Sequence, residues 1–281
     1  MKRQTILIAS HDAGGAHVLS HWCRSYESLL DFEYYLAGPA ITIFQQQSLA
    51  GSIVTEYKTR SFDGVVTSTG WQTRFEKDVV YWAKQNDIPV ASYLDHWVNY
   101  ADRFDLGCLP NELWVPDQEA IRVAKNTFTH ADVKIRLMKN RYFTSLKHKV
   151  KSDHSDMSSD HILICLEPIR NGYGLKDAYD TLSKYLVTHY PKNQKIVVRD
   201  HPSGAETQMD YLVDVLSQSF QVTDSQSTLE ADLAHALAVF GYQSSVLAYA
   251  NYLGMPAISY FPKDFMEPIL PHKDIEYIPV N

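Results

Sequence analysis

The fold is decided by the stretch Thr5-Ile6-Leu7-Ile8-Ala9-Ser10-His11-Asp12-Ala13-Gly14-Gly15. Its first six residues form a short apolar run typical of a buried strand, and the polar, glycine-containing residues after it lead into a helical pattern that extends to about residue 30. A second stretch of the same kind begins at residues 161–166, and a helical pattern follows it at residues 175–190. Each stretch therefore predicts the first strand and helix of a parallel α/β sheet.

Strand-like runs alternate with helical patterns after both stretches. The predicted strands are residues 34–37, 64–68, 90–94 and 113–116 in the first half, and 195–199, 220–223, 238–240 and 256–260 in the second. Between the two series, residues 147–160 are rich in Lys, Ser, Asp and His, which predicts an exposed connection. The sequence thus predicts two Rossmann-like domains, residues 1–150 and 151–281, with a cleft between them.

Composition excludes several classes of protein. Of 281 residues, 45% are hydrophobic, which argues against long disorder, and 26 basic against 33 acidic residues give a formal charge of −7, which opposes nucleic acid as a partner. The three cysteines lie far apart, so no zinc site, bound metal or disulfide framework is expected. No run approaches the roughly 20 apolar residues of a membrane span, and a cytoplasmic location is expected.

Candidate functional residues in the first half follow predicted strands, since ligands of open α/β sheets bind beyond the carboxyl ends of the strands. His11 or Asp12 is a candidate general base, while Gly14 and Gly15 tolerate positive φ and allow a ligand to approach the backbone. A structural alternative is that Asp12 only caps the following helix. After another strand, residues 67–71 add hydroxyl groups to the same edge.

The loop after predicted strand 90–94 carries a second group of candidates. Asp95 and His96 offer a carboxylate and an imidazole for catalysis, and Trp97 and Tyr100 offer aromatic faces of the kind that pack on sugar rings. Together they resemble the wall of a small-molecule site. The alternative is that the two aromatic residues, three positions apart, face a core.

The second half carries two candidate phosphate-binding loops. Pro202 biases the backbone of His201 away from helical angles and thereby holds an imidazole at a strand end, where it can donate to a phosphate. Gln243-Ser244-Ser245 opens a helix, whose free N–H groups and dipole, with two hydroxyls, suit an anion. Ser244 is alternatively an ordinary N-cap. Because both loops follow strands of one sheet, they favour a phosphate-bearing ligand.

These second-half motifs resemble the donor-binding domain of GT-B glycosyltransferases over residues 161–262. The His-Pro pair at His201 and the Gly-x-x-Ser-Ser sequence from Gly241 are most similar to those of bacterial enzymes that use CMP-activated keto-sugars, the sialyltransferases and Kdo transferases. The resemblance implies that His201, Ser244 and Ser245 bind the nucleotide phosphate, and that Asp12 deprotonates an acceptor hydroxyl. It also implies that residues 1–150 form the acceptor-side domain, with Trp97 and Tyr100 near the acceptor, and residues 151–281 the donor domain.

The leading hypothesis is therefore a metal-independent, inverting glycosyltransferase without a cofactor. It would transfer a sugar from a nucleotide donor to a bacterial surface glycan or glycolipid, with Asp12, Asp95 and His96 in catalysis and with Arg170 and Arg199 helping to bind phosphate. A glycolipid acceptor implies peripheral association with the inner face of the membrane.

Two alternatives keep the same fold. One is a nucleotide-sugar epimerase or hydrolase, in which the first-half carboxylates act on the sugar or on water. The other is a noncatalytic subunit that binds a nucleotide sugar.

Overall fold

The computed structural model describes residues 2–70, 73–153, 160–168, 175–201, 204–262 and 267–279. The chain divides into two compact units, Met1–Ser145 and Leu146–Asn281, and both are of the α/β class. The acceptor-side and donor-side roles of the two domains stay predictions. Among the described residues, no helix has the length and apolarity needed to cross a bilayer.

The first unit contains one parallel sheet with helices on its faces. Its elements are β1 (Gln4–Ser10), α1 (Ala13–Tyr26), β2 (Leu30–Leu36), α2 (Pro39–Gln46), β3 (Ser52–Ile53), β4 (Gly64–Thr67), α3 (Phe75–Gln85), β5 (Val90–Tyr93), a turn of 3-10 helix at Ala101–Arg103, β6 (Glu112–Val115), α4 (Gln118–Thr127) and β7 (Lys134–Leu137). The strand order is β3-β2-β1-β4-β5-β6-β7.

Both faces of the first sheet are covered, which explains why β1 is continuously apolar. Ile8 packs in one cluster with α1 residues such as Leu19, and Leu7 packs in another with α3 residues such as Val79. These four side chains belong to two buried clusters, so the loops at the strand ends carry the polar chemistry.

The second unit repeats the arrangement. Its elements are β8 (His161–Cys165), α6 (Leu175–His189), β9 (Lys195–Arg199), α7 (Met209–Ser217), β10 (Gln221–Asp224), α8 (Leu229–Ala234), β11 (Ala236–Gly241), α9 (Ser245–Leu253), β12 (Ala257–Ser259) and β13 (Glu276–Tyr277). The strands are parallel and follow the order β10-β9-β8-β11-β12-β13. The prediction of two Rossmann-like domains is therefore confirmed.

Each sheet has a switch point, where successive connections leave in opposite directions. In the first sheet the chain proceeds from β1 through β2 to β3, and then returns to place β4 on the other side of β1. In the second sheet β8 and β11 have the same relation. Crevices outside the carboxyl ends of such strand pairs are the usual ligand sites of open α/β sheets.

The predicted connection at residues 147–160 is wrong in its first part, because helix α5 (Arg141–Asp153) extends into it. Tyr142, Phe143, Leu146 and Val150 are buried, at the spacing of one helix face. Because the residues between them are polar, the composition of this segment alone resembles that of an exposed connection. The short strands β3 and β13 and the exposed strand β7 also escape prediction, since they carry little apolar periodicity.

Candidate active site

Asp12 lies two residues after the end of β1, at the N-cap position of α1, but its side chain makes no capping hydrogen bond. Instead, Oδ1 of Asp12 lies 2.7 Å from Nδ1 of His11, and the side chain is 36% exposed. The side chain of Asp12 therefore contacts the His11 imidazole instead of capping α1, and it is partly exposed to solvent. This geometry favours the functional interpretation of Asp12 over the structural one.

Glu76, in the first turn of α3, brings a second carboxylate to this switch point. Its side chain is 3% exposed, and Oε1 accepts hydrogen bonds from the backbone N–H of His11 (2.9 Å) and from Oγ of Ser68 (2.8 Å). Oε2 is buried and has no hydrogen-bond partner among the described residues. Burial raises the pKa of Glu76, and the nearby charge of Asp12 raises it further.

Three glycines allow the carboxylates to approach so closely. A methyl group at Gly14 would overlap Oδ2 of Asp95, and one at Gly15 would overlap the side chain of Ser68. A methyl group at Gly70 would lie 3.1 Å from Oδ2 of Asp12 and 3.2 Å from Oε2 of Glu76. Gly14 and Gly15 lie in α1 and have no positive φ. Their missing side chains leave room for the side chains of Asp95 and Ser68, whereas the sequence predicts that they leave room for a ligand.

Asp95 is the third carboxylate, at the end of β5. It is paired with the buried guanidinium of Arg103, at 3.5 Å, and Arg103 also donates to the backbone oxygens of Thr69 and Val98. Burial raises the pKa of Asp95, the Arg103 charge opposes this shift, and the charge of Asp12 adds to it. The Asp95–Arg103 pair thus fixes the loops after β4 and β5 around Asp12.

The predicted aromatic wall is wrong, because Trp97 and Tyr100 are each only 2% exposed. The indole N–H of Trp97 donates to the carboxylate of Asp117 (2.9 Å), which caps α4. The half-buried His96 accepts the backbone N–H of Trp97 at Nδ1 (3.0 Å), which places the proton of a neutral His96 ring on Nε2. Trp97 and Tyr100 are therefore core residues, whereas His96 is only half-buried.

In the second unit, His201 follows β9 as predicted. Its backbone N–H donates to Oδ1 of Asp200 (2.8 Å), and the hydroxyl of Thr207 donates to the same oxygen (2.6 Å). Thr207 is in turn held through its backbone oxygen by the buried hydroxyl of Tyr179 (2.7 Å). The loop therefore holds His201, which is half-buried, at a fixed place beyond the strand end.

The loop between β11 and α9 is pinned on both sides. The backbone N–H of Gln243 donates to Oε2 of Glu167 (3.0 Å), after β8, and Oε1 of Gln243 accepts the backbone N–H of Ile269 (2.6 Å). Ser244 is the N-cap of α9 and accepts the N–H of Val246 (3.3 Å), while Ser245 is the first helical residue. Ser244 is thus a cap, and the helix N-terminus lies at the β8/β11 switch point.

Arg199 is a structural cation. Its guanidinium donates to the buried carboxylate of Asp232 (2.8 Å), to Oγ of Ser225 (3.1 Å) and to the backbone oxygen of Ser227 (2.8 Å). Its charge is paired with Asp232, which gives it a structural contact, and its role in phosphate binding stays a prediction. The predicted phosphate ligands Arg170 and Pro202 lie outside the described residues.

Sequence reasoning missed two residues of the first site, Glu76 and Arg103. From sequence alone, an acidic residue in the first turn of a helix is explained by the helix dipole, and an arginine in a loop by solvation. Only the fold shows that both are buried at the switch point. Among the described residues, no three His, Cys, Asp or Glu side chains converge as metal ligands do.

Replacing His201 by Ala is expected to weaken nucleotide binding by about 1.5–3 kcal/mol, the range for hydrogen bonds to charged groups. Ser244→Ala should cost less, because the backbone N–H groups of α9 remain. Isothermal titration with a nucleoside diphosphate measures both, with the exposed His189→Ala as the matched control. An unchanged affinity of the His201→Ala protein would remove His201 from the site.

No protein-family model matches the chain, and no curated protein sequence matches it. Solved structures do resemble it. They include UDP-GlcNAc 2-epimerase from Neisseria meningitidis bound to UDP-GlcNAc, with a TM-score of 0.66 and 13% identity over 91% of this chain and 82% of that chain. UDP-GlcNAc 2-epimerase from Methanocaldococcus jannaschii, in complex with UDP-GlcNAc and UDP, has a TM-score of 0.65 and 15% identity over 91% and 83%.

A glycosyltransferase from Rickettsia africae is also similar, with a TM-score of 0.57 and 9% identity over 92% of this chain and 79% of that chain. Identities this low establish a common fold and nothing narrower. The chain therefore has the two-domain, GT-B-type fold that these epimerases and this glycosyltransferase have in common.

Proposed function

We propose that the protein is an enzyme that acts on a nucleotide sugar by proton transfer, as an epimerase or a hydrolase. In this proposal the second domain binds the phosphates through His201 and the N-terminus of α9, and the first domain supplies the acid and the base. The observation that carries the proposal is that the carboxylates of Glu76 and Asp95 both lie close enough to Asp12, at the β1/β4 switch point, to feel its charge.

Carboxylates in unequal environments suit this chemistry. Removing a proton from a sugar and returning one requires a base and an acid together, and a site obtains both when neighbouring carboxylates have different pKa values. Burial raises the pKa of Glu76 and of Asp95, whereas Asp12 is partly exposed beside an imidazole. Direct sugar transfer to an acceptor hydroxyl needs only one base, so the additional carboxylates favour the epimerase or hydrolase reading.

The fold comparisons support the same choice. Two of the similar structures are UDP-GlcNAc 2-epimerases with UDP-GlcNAc bound, and for this reason we propose a nucleotide sugar as the ligand of this protein. None of the structures named above carries a CMP sugar, so the CMP-activated donor stays a prediction. The acceptor glycan, the peripheral membrane association and the cytoplasmic location stay predictions as well.

Glycosyl transfer is the second candidate. Asp12, whose side chain does not cap α1 and is partly exposed, suits a base that deprotonates an acceptor hydroxyl, and one similar structure is a glycosyltransferase. A transferase is expected to consume its donor only when an acceptor is added.

The experiment that separates these functions uses UDP-GlcNAc in D₂O without any acceptor, followed by NMR. If an epimerase inverts a carbon by proton removal and return, its product carries deuterium at that carbon and keeps its nucleotide. A hydrolase releases free sugar. No reaction, together with nucleotide binding, favours glycosyl transfer or the noncatalytic subunit, and an acceptor screen then decides between those two.

Ligand class is tested first by thermal shift with UMP, UDP, CMP, CDP and GDP. A nucleotide at about 100 times its dissociation constant stabilises the folded protein by about 2.7 kcal/mol, which is easily measured. The His201→Ala protein should lose most of this shift, and the His189→Ala control should retain it. Failure of all five nucleotides and of UDP-GlcNAc to stabilise the protein would contradict the proposed function.

A further inference from the structure

His11 and Asp12, in the loop after β1, form a hydrogen-bonded pair of side chains. Nδ1 of the His11 ring lies 2.7 Å from Oδ1 of Asp12. Because an ionised carboxylate has only acceptor atoms, the hydrogen between these two atoms belongs to the ring, and a neutral His11 carries its one proton on Nδ1. The unshared electron pair of the ring is therefore on Nε2.

The side chains of this pair are the accessible titratable groups at the β1/β4 switch point. The side chain of His11 is 27% exposed and that of Asp12 is 36% exposed, and Nε2 of His11 makes no hydrogen bond to the described residues. By contrast, Glu76 is only 3% exposed, and Asp95 is paired with the buried Arg103. A ligand at this edge of the sheet therefore meets His11 and Asp12 before it meets the other two carboxylates.

The fold holds the imidazole of His11 in one place. The backbone N–H of His11 donates to Oε1 of Glu76 (2.9 Å), and its backbone oxygen accepts the N–H of Ala40 (3.2 Å), in the first turn of α2. Gly38 passes so close to the ring that a Cβ atom there would lie 2.9 Å from Nε2, and its φ of +53° favours glycine as well. An imidazole with one nitrogen held by a carboxylate and the other open has the arrangement of a general base.

Two half-buried aromatic rings lie beside this imidazole. The ring of Phe75, in the first turn of α3, is 6.0 Å from the ring of His11, and it stacks on the ring of Tyr35, at the end of β2, at 4.7 Å. Ligand sites commonly combine aromatic side chains with a few polar groups. The surroundings of His11 thus have the composition of a ligand site, in a region where the sequence analysis finds no aromatic candidate.

We infer that His11 transfers the proton of the reaction through Nε2, and that Asp12 is a positioning residue that acts through His11. The inference rests on the proposed function, because the proton comes from the sugar of a nucleotide sugar or from the water that attacks it. Nε2 binds this proton with its electron pair, and the electrons of the broken C–H or O–H bond stay on the carbon or oxygen. The ring becomes an imidazolium, whose charge Asp12 stabilises, and return of the proton from Nε2 restores the neutral ring.

A large effect of Asp12 is compatible with this positioning role. Where a carboxylate holds the tautomer of a histidine base, replacing it by the amide lowers turnover by about 10⁴ in the serine proteases. The effect of Asp12→Asn alone therefore does not separate a base from a positioning residue. The state of the His11 ring and the behaviour of a double variant do separate them.

The tautomer of His11 is tested without any ligand, by NMR of the whole protein labelled with ¹⁵N-histidine and with the ring in its neutral form. We expect a protonated Nδ1 and an unprotonated Nε2, with the signals of His11 identified by their loss in His11→Gln. Asp12→Ala removes the acceptor and should move the proton toward Nε2, whereas the signals of the exposed His130 should not change. A wild-type ring that carries its proton on Nε2 would overturn the inference.

The proton transfer is tested by turnover of UDP-GlcNAc in single and double variants. We expect His11→Ala to lower turnover by about 10² to 10⁴, and added imidazole to restore part of it, which the loss of a structural contact would not allow. Because Asp12 acts through His11, adding Asp12→Asn to His11→Ala should lower turnover by no more than about threefold further. His130→Ala, an exposed histidine of the same unit, is the matched control and should keep wild-type turnover.

Each outcome bears on either the inference or the proposed function. If His11→Ala keeps near-native turnover, or if the losses of the two single variants multiply in the double variant, Asp12 does not act through His11 and the inference is wrong. If circular dichroism shows that His11→Ala is unfolded, His11→Gln takes its place in the same measurements. If wild type does not react with UDP-GlcNAc, the proposed function fails, and the NMR result alone decides whether Asp12 holds the Nδ1 proton of His11.

Discussion

Asp12→Asn is expected to lower turnover by about 10² to 10⁴, the usual contribution of a general base, while the affinity for nucleotide stays nearly constant. Asparagine keeps the shape of Asp12 and its contact with His11, but it cannot accept a proton. Steady-state kinetics with UDP-GlcNAc measure turnover, and titration with UDP measures affinity. Asp31→Asn, an exposed aspartate of the same domain, is the control.

Asp95 is the rival base and must be measured in parallel. Because Asp95→Asn removes the partner of the buried Arg103, its melting temperature is needed beside its turnover. A large loss of turnover in Asp95→Asn with an unchanged melting temperature, and none in Asp12→Asn, would transfer the role to Asp95. Near-native turnover of both variants would show that the acid–base mechanism is wrong.

Arg199→Met is expected to destabilise the second domain by about 3 kcal/mol, because it leaves the buried carboxylate of Asp232 without its partner charge. Chemical denaturation followed by far-ultraviolet circular dichroism measures this free energy of unfolding. The exposed Arg122→Met, whose pair with Glu119 spans one helical turn, should cost less than about 0.5 kcal/mol.

Nucleotide binding by the folded Arg199→Met protein should remain within a few-fold of wild type, in contrast to His201→Ala. If Arg199→Met instead loses nucleotide affinity and keeps its stability, Arg199 is a phosphate ligand, as the sequence predicts, and the ion pair is incidental.

The two sheets could be predicted from sequence because their strands are short apolar runs between helices of clear period. β9 agrees with its predicted range of residues 195–199, and α9 begins at Ser245, within the residues 243–245 predicted to open a helix. Edge strands such as β7 could not be predicted, since half-exposed strands carry mixed residues, and α5 was hidden by its many polar residues. The spacing of apolar residues in a sequence reflects which positions are buried, so helices and strands with few buried residues are not predicted from it.

The candidate site could be predicted only in part. Asp12 and Asp95 follow directly from their place at strand ends, because the topology puts those ends at one edge of the sheet. Glu76 could not be predicted, since its burial depends on how α3 packs over β4. Trp97 and Tyr100 were misassigned for the reverse reason: an aromatic residue after a strand has the same sequence signal whether its ring faces solvent or the core.

The strand order described above also governs when each domain can form during synthesis. In both sheets the central pair joins strands far apart along the chain, as Ile8 pairs with Val66 and Ile164 with Phe240. Such non-local pairing folds slowly, because loop closure precedes its stabilisation. The first sheet is nevertheless complete at Leu137, so a nascent chain can assemble the carboxylate group before the ribosome has made the last strands of the second sheet. Mutations that slow the β1–β4 pairing should therefore expose the first domain to aggregation while translation is still under way.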